Sequence, residues 1–106
     1  MVRAVQLTPE SQDALALLGN RLRLGRLRRN LSQEELAERA GIGRKAIIAL
    51  EAGAPGTTLA VLVKVLAILG YPERVAELMA ADPLGEEMEA VNGRKRAGGR
   101  ADVADF

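Results

Sequence analysis

The stretch SQEELAERAGIGRKAIIALEAG, Ser32 to Gly53, carries more start and stop signals than any other part of this chain. Two short helical patterns, QEELAERA and GRKAIIALEAG, stand on either side of a tight Gly41-Ile42 turn. Ser32, with Glu35 three residues on, is a capping box. The hydroxyl takes an orphan amide of the first turn while the carboxylate reaches back to the amide of the cap, so a helix starts firmly at Ser32. Leu36, Ala37 and Ala40 fall on one face of it, and the small Ala37 side chain lets a second helix cross at short range. Gly41 can take the left-handed conformation that stops the helix. Ile47 and Leu50 then form the inner face of the second helix, which Gly53 closes.

Helix, tight turn and helix together make a helix-turn-helix, a motif that lays its second helix in the DNA major groove. Three more helices surround it. The first is expected from about Ser11 to Arg29, with Leu15, Leu18 and Leu22 on its inner stripe. The next position on that stripe is Arg26, which needs a partner, because burying an unpaired charge costs several kcal/mol. The fourth helix is expected from Thr58 or Leu59 to Leu69, capped by Thr57 or Thr58 and stopped by Gly70 and Pro72. Its sequence LAVLVKVLAIL is apolar nearly all round, so it must be covered on more than one side. A fifth, Pro72 to Ala81, offers Val75, Leu78 and Met79 as an apolar stripe. Surplus apolar surface on these last two helices suits a dimer interface and the centre of a five-helix core alike. The expected fold is therefore all-α, with an N-terminal arm at 1–10, a five-helix domain at 11–81 and a flexible tail at 82–106 that contains one short helical possibility, Glu86 to Val91.

Composition narrows the chemistry. A chain of 106 residues with 48% hydrophobic and 27% charged residues supports one modest globular core. With only 2% aromatic residues, that core must be built from Leu, Ile, Val and Ala. The absence of cysteine and histidine excludes disulfides, zinc fingers, thiol nucleophiles and imidazole bases. No enzyme activity, metal site or cofactor is expected. No long apolar run follows a basic start, so neither a signal peptide nor a membrane span is read, and the cytoplasm is the expected compartment. Although the net charge is only +1, residues 19–53 carry eight basic against four acidic side chains and residues 54–93 carry two against six. That polarity would orient the domain on a duplex. Arg28, Arg29 and Arg39 either serve that end or merely solvate their helices.

The spacing of Gln33, Ala37, Gly41, Ile47 and Glu51 resembles the Cro/XRE repressor family, over roughly Gly19 to Gly70. The resemblance implies a lambda-repressor-like domain that binds palindromic double-stranded operator DNA as a homodimer. In that family the matching arginine pairs with the glutamate ending the recognition helix, which implies an Arg26–Glu51 ion pair, with Arg26 left partly free to touch a phosphate. Base reading is implied for Gly43, Arg44, Lys45, Ile48 and Ala49. Arg44 and Lys45 can bond guanine O6 and N7, whereas Ile48 and Ala49 depart from the polar residues usual there and suit thymine methyl groups. Gln33 is implied to bond a phosphate beside the first amides of its helix, with Ser32 contributing besides its capping.

The end of the chain has another character. A Gly- and Arg-rich stretch without a core pattern leads to Ala-Asp-Val-Ala-Asp-Phe, whose Phe106 is the only phenylalanine. One reading is a frayed terminus. The other is a peptide that folds on a partner, with Arg94, Lys95, Arg96 and Arg100 steering approach and Phe106 as apolar anchor. A helix-turn-helix domain with such a tail resembles the HipB-like antitoxins, which implies a HipA-like serine/threonine kinase toxin as partner. A plain XRE-type regulator without a toxin, and an adaptor that kept the fold but not DNA binding, are the competing readings.

Overall fold

A computed structural model describes residues 6–93. The described residues contain five α-helices, α1 (Pro9–Arg28), α2 (Gln33–Ala40), α3 (Arg44–Glu51), α4 (Leu59–Leu69) and α5 (Pro83–Asn92), with a 3-10 helix at Pro72–Met79, and no strand. The chain divides into two units after Val75.

Most boundaries follow from local chemistry. Ser32 Oγ accepts from the Glu35 amide at 3.0 Å while Glu35 Oε1 accepts from the Ser32 amide at 2.8 Å, which is the expected capping box. Gly41 ends α2 with φ +70. Thr58, not Thr57, caps α4, its hydroxyl accepting from the Val61 amide at 3.2 Å. The first helix starts earlier than expected, at Pro9, because Thr8 is the cap and proline is favoured in the first turn, where its missing N–H costs nothing. The expected arm at 1–10 thus gives up its last two residues to α1.

The stretch after α4 departs further. Residues 72–79 wind as a 3-10 helix with no buried residue, and Leu78 and Met79 are 72% and 71% exposed rather than part of a core stripe. The fifth α-helix comes later. Asp82 caps it by accepting from the Gly85 amide at 3.0 Å, and Pro83 occupies the first turn, so it begins three residues before the short helix expected at Glu86.

Leu22, Leu31, Leu36, Ala37, Ile47, Leu50, Val65 and Leu69 form the core. Within it Leu36, Ile47 and Val65 are sealed from solvent, so α2 is clasped between α3 and α4. α1 packs on α3 through an unusually close approach. A Cβ on Gly19 would strike the carbonyl oxygen of Glu51 and lie 2.7 Å from that of Leu50. Gly53 answers from the other side: a Cβ there would sit 2.7 Å from the Ala16 nitrogen, and its φ of +74 favours glycine as well. Arg29, which the sequence left between solvation and phosphate, holds the scaffold instead. Its guanidinium donates to the carbonyls of Gly25 at 2.7 Å and Leu69 at 2.8 Å, satisfying an orphan acceptor at the end of α4.

The capping box has a pH signature. The backbone and hydroxyl hydrogen bonds from Ser32 hold the Glu35 carboxyl below its ordinary range. A depressed folded-state pKa stabilises the fold above the unfolded value and ceases to do so as pH falls through the folded one. Glu35→Ala is therefore expected to lower stability at pH 7, and the gap to wild type should close as urea melts are taken below the carboxylate range. A gap that stays constant down to acid pH would show that the charged form of Glu35 contributes nothing.

Candidate nucleic-acid interface

The helix-turn-helix consists of α2, the three residues Gly41 to Gly43, and α3. Gly43 is the N-cap of α3 and supplies no side-chain cap. Gly43, Arg44, Lys45 and Ile48 are exposed on α3, and Ala49 is half-buried. The residues implied for base reading therefore share the outer side of one short helix, opposite Ile47 and Leu50. The first turn of α3 holds two cations and no acid. That composition opposes the helix dipole, which favours negative charge at an N-terminus. Two basic groups placed there cost the isolated fold a few tenths of a kcal/mol and suit an anionic ligand.

A buried polar network sets the orientation of this face. Arg26 Nε donates to Glu51 Oε2 at 2.7 Å and Nη2 donates to Oε1 at 2.9 Å, a bidentate pair whose side chains are 8% and 5% exposed. Nη1 donates to the Leu31 carbonyl at 2.8 Å. Hydrogen bonding to Glu51 raises the Arg26 pKa, so this guanidinium stays charged at any pH the fold survives. Gln33 Nε2 joins the same carboxylate, donating to Oε1 at 3.2 Å. The Arg26–Glu51 pair at the end of α3 thus gathers the end of α1, the loop after it and the start of α2.

This network gives one expected contact residue a structural role. Arg26 is 6% exposed and all three of its nitrogens donate within the fold, so it holds the scaffold together. Gln33 is half-buried at the first position of α2. Its amide nitrogen carries two hydrogens, so the bond to Glu51 leaves one for a phosphate. Ser32 is exposed, but the capping box occupies its hydroxyl and its own amide. The amides of Gln33 and Glu34 remain as donors at that helix end. The Gln33–Glu51 bond escaped the sequence reading, because a pair 18 residues apart has no local periodicity to betray it. Arg94, Lys95, Arg96, Arg100 and Phe106 lie outside the described residues, as does residue range 1–5.

Among the described residues no helix is long and apolar enough to cross a membrane, and no group of His, Cys, Asp or Glu could hold a metal ion. No curated protein matches the chain. The helix-turn-helix family model matches residues 22–75, from the inner stripe of α1 into the 3-10 helix after α4, a span close to the Gly19–Gly70 suggested by the motif. With half the chain matched and the two-helix unit in place, this protein belongs to the Cro/C1-type helix-turn-helix family, whose domains serve sequence-specific DNA-binding transcription regulators.

Proposed function

We propose that this protein is a homodimeric repressor that binds a palindromic operator, with Arg44 and Lys45 reading guanine, Ile48 and Ala49 meeting thymine methyl groups, and Gln33 with the first amides of α2 holding a phosphate. The observation that carries this reading is the exposed cationic first turn of α3, aimed by a buried network at its other end. A dimer would place two such helices in successive major grooves about 34 Å apart. Selection of operator sequences from a random pool, followed by titration of variants, tests it. Arg44→Ala is expected to cost about 1–3 kcal/mol on the selected site and to relax one base position. Gln33→Ala should weaken all duplexes alike, and affinity should fall steeply with salt as counterions are released. Equal losses for Arg44→Ala on selected and random duplex would remove it from base reading. A flat salt profile would favour an adaptor that keeps the fold without binding DNA.

The further reading as an antitoxin rests on the sequence after Gly93, where Arg94, Lys95, Arg96 and Arg100 precede the single phenylalanine, Phe106. Such a tail suits a partner with an acidic approach and an apolar pocket, and the HipA-like kinase is the partner implied by resemblance. Co-purification from the native host decides it. A kinase in the eluate, lost on truncation after Gly93 or on Phe106→Ala while operator binding is retained, supports the antitoxin. Operator binding with no such companion supports the plain regulator.

A further inference from the structure

Between α1, the end of α3 and the start of α4 lies a pocket of about 110 Å³, walled by five leucines that include Leu18 of α1, Leu50 of α3 and Leu62 of α4. Every residue around it belongs to the first unit, none is ionisable, and none is among those proposed to touch DNA. Two neighbouring threonines share the wall and use their hydroxyls differently. Thr58 Oγ1 accepts from the Val61 amide at 3.2 Å as the cap of α4. Thr57 Oγ1 is buried and has no hydrogen-bond partner among the described residues. Leaving a buried hydroxyl unpaired costs more than a typical hydrogen bond returns. Water is a poor remedy here. An ordered buried water needs roughly two to four polar partners, and Thr57 supplies the one uncommitted hydroxyl of the wall.

We propose that this pocket binds a small neutral molecule with an apolar body and a single hydroxyl group, the body lying among the leucines and the hydroxyl donating to Thr57 Oγ1. Size sets the class. A dry apolar cavity of about 150 Å³ holds one benzene-sized molecule, so this one admits a body of about six heavy atoms and no more. The wall also decides the charge. None of its side chains could pair with an ion, and an unpaired charge brought into such a site is far costlier than a neutral group. A mostly apolar lining with one placed polar group is the ordinary make-up of a small-molecule site. Because three helices contribute to the wall and Leu50 adjoins Glu51, an occupant holds α1, α3 and α4 together and stabilises the fold by mass action.

Phenol and benzene, which share a ring and differ by the hydroxyl, test this on the full chain through the methyl resonances of Leu18, Leu50 and Leu62. Phenol is expected to shift them saturably, with a millimolar dissociation constant about fivefold or more below that of benzene. Thr57→Val should abolish that preference while leaving benzene binding in place. The same variant has a readout that needs no ligand. Replacing an unpaired hydroxyl by a methyl of the same shape should raise the melting temperature. A lower melting temperature would show that the fold already satisfies the hydroxyl, and would overturn the assignment. Equal affinity for phenol and benzene in the wild-type protein would do so too, as would the absence of saturable shifts at these leucines. Shifts confined to other residues would place binding elsewhere and equally sink the pocket. None of these outcomes bears on operator binding, so the DNA reading stands or falls separately.

Discussion

Arg26→Met is expected to lower stability by about 3 kcal/mol, enough to bring the melting temperature down by roughly 10–20 °C in a domain this small. The loss does not measure the strength of the ion pair. It reflects the Glu51 carboxylate, 5% exposed, left in the interior with only the Gln33 amide for company. Glu51→Gln should act in the same direction, since the bidentate bond from Arg26 loses its charged acceptor. Combining the two changes removes both charges together, so the double variant should lie above the sum of the singles by about 1–3 kcal/mol. Urea melts of the four proteins close this cycle. Strict additivity would mean that the two side chains do not act as a unit. DNA binding offers a second readout: because Glu51 also holds Gln33, a folded Glu51→Gln protein should lose affinity on specific and random duplex alike.

Gly19→Ala should be comparably damaging, although helix propensity alone says the reverse. In an exposed helix interior the change would gain about 1 kcal/mol. Here the added methyl meets the backbone carbonyls of Glu51 and Leu50, which cannot rotate aside as a side chain can. α1 must then move off the end of α3, loosening Leu22 and Leu50 as it goes. The expected net loss is about 2–3 kcal/mol, at the upper end of what overpacking costs. Gly43→Ala is the control. No atom lies within 4 Å of a Cβ at that position and its φ of −76 suits any residue, so the fold should lose only what alanine costs relative to glycine at an N-cap, about 1 kcal/mol or less. Thermal melts that find Gly19→Ala neutral or stabilising would show that α1 and α3 do not approach so closely. Any effect of Gly43→Ala should instead appear in operator binding.

The two variants mark where reading the chain as a string stops being sufficient. Caps and stops such as Ser32 with Glu35, Gly41, Thr58 and Gly70 act on atoms within five residues of themselves, and the inner stripes of α2 and α3 follow from a period of 3.6. Helix type, the turn and the outward side of α3 were therefore legible before any coordinates. The 3-10 winding of Pro72–Met79 was not, because Val75, Leu78 and Met79 have helical spacing whether or not anything covers them. Pro9 and Pro83 are local signals of the same kind, each following a Thr or Asp cap and together with it marking the helix start. Gly19 reads locally as a weak point in a helix, and its purpose exists only when the end of α3 lies against it. Arg26 has a direction from periodicity and a partner from resemblance, but that Leu31 and Gln33 complete the network required the folded positions of three separate segments. Arg29 is the same case, since its target carbonyl on Leu69 is forty residues away. Local hydrogen bonds and periodicity are encoded by neighbours in sequence and can be read there. Close approaches and polar networks are encoded by neighbours in space, and packing alone decides which those are.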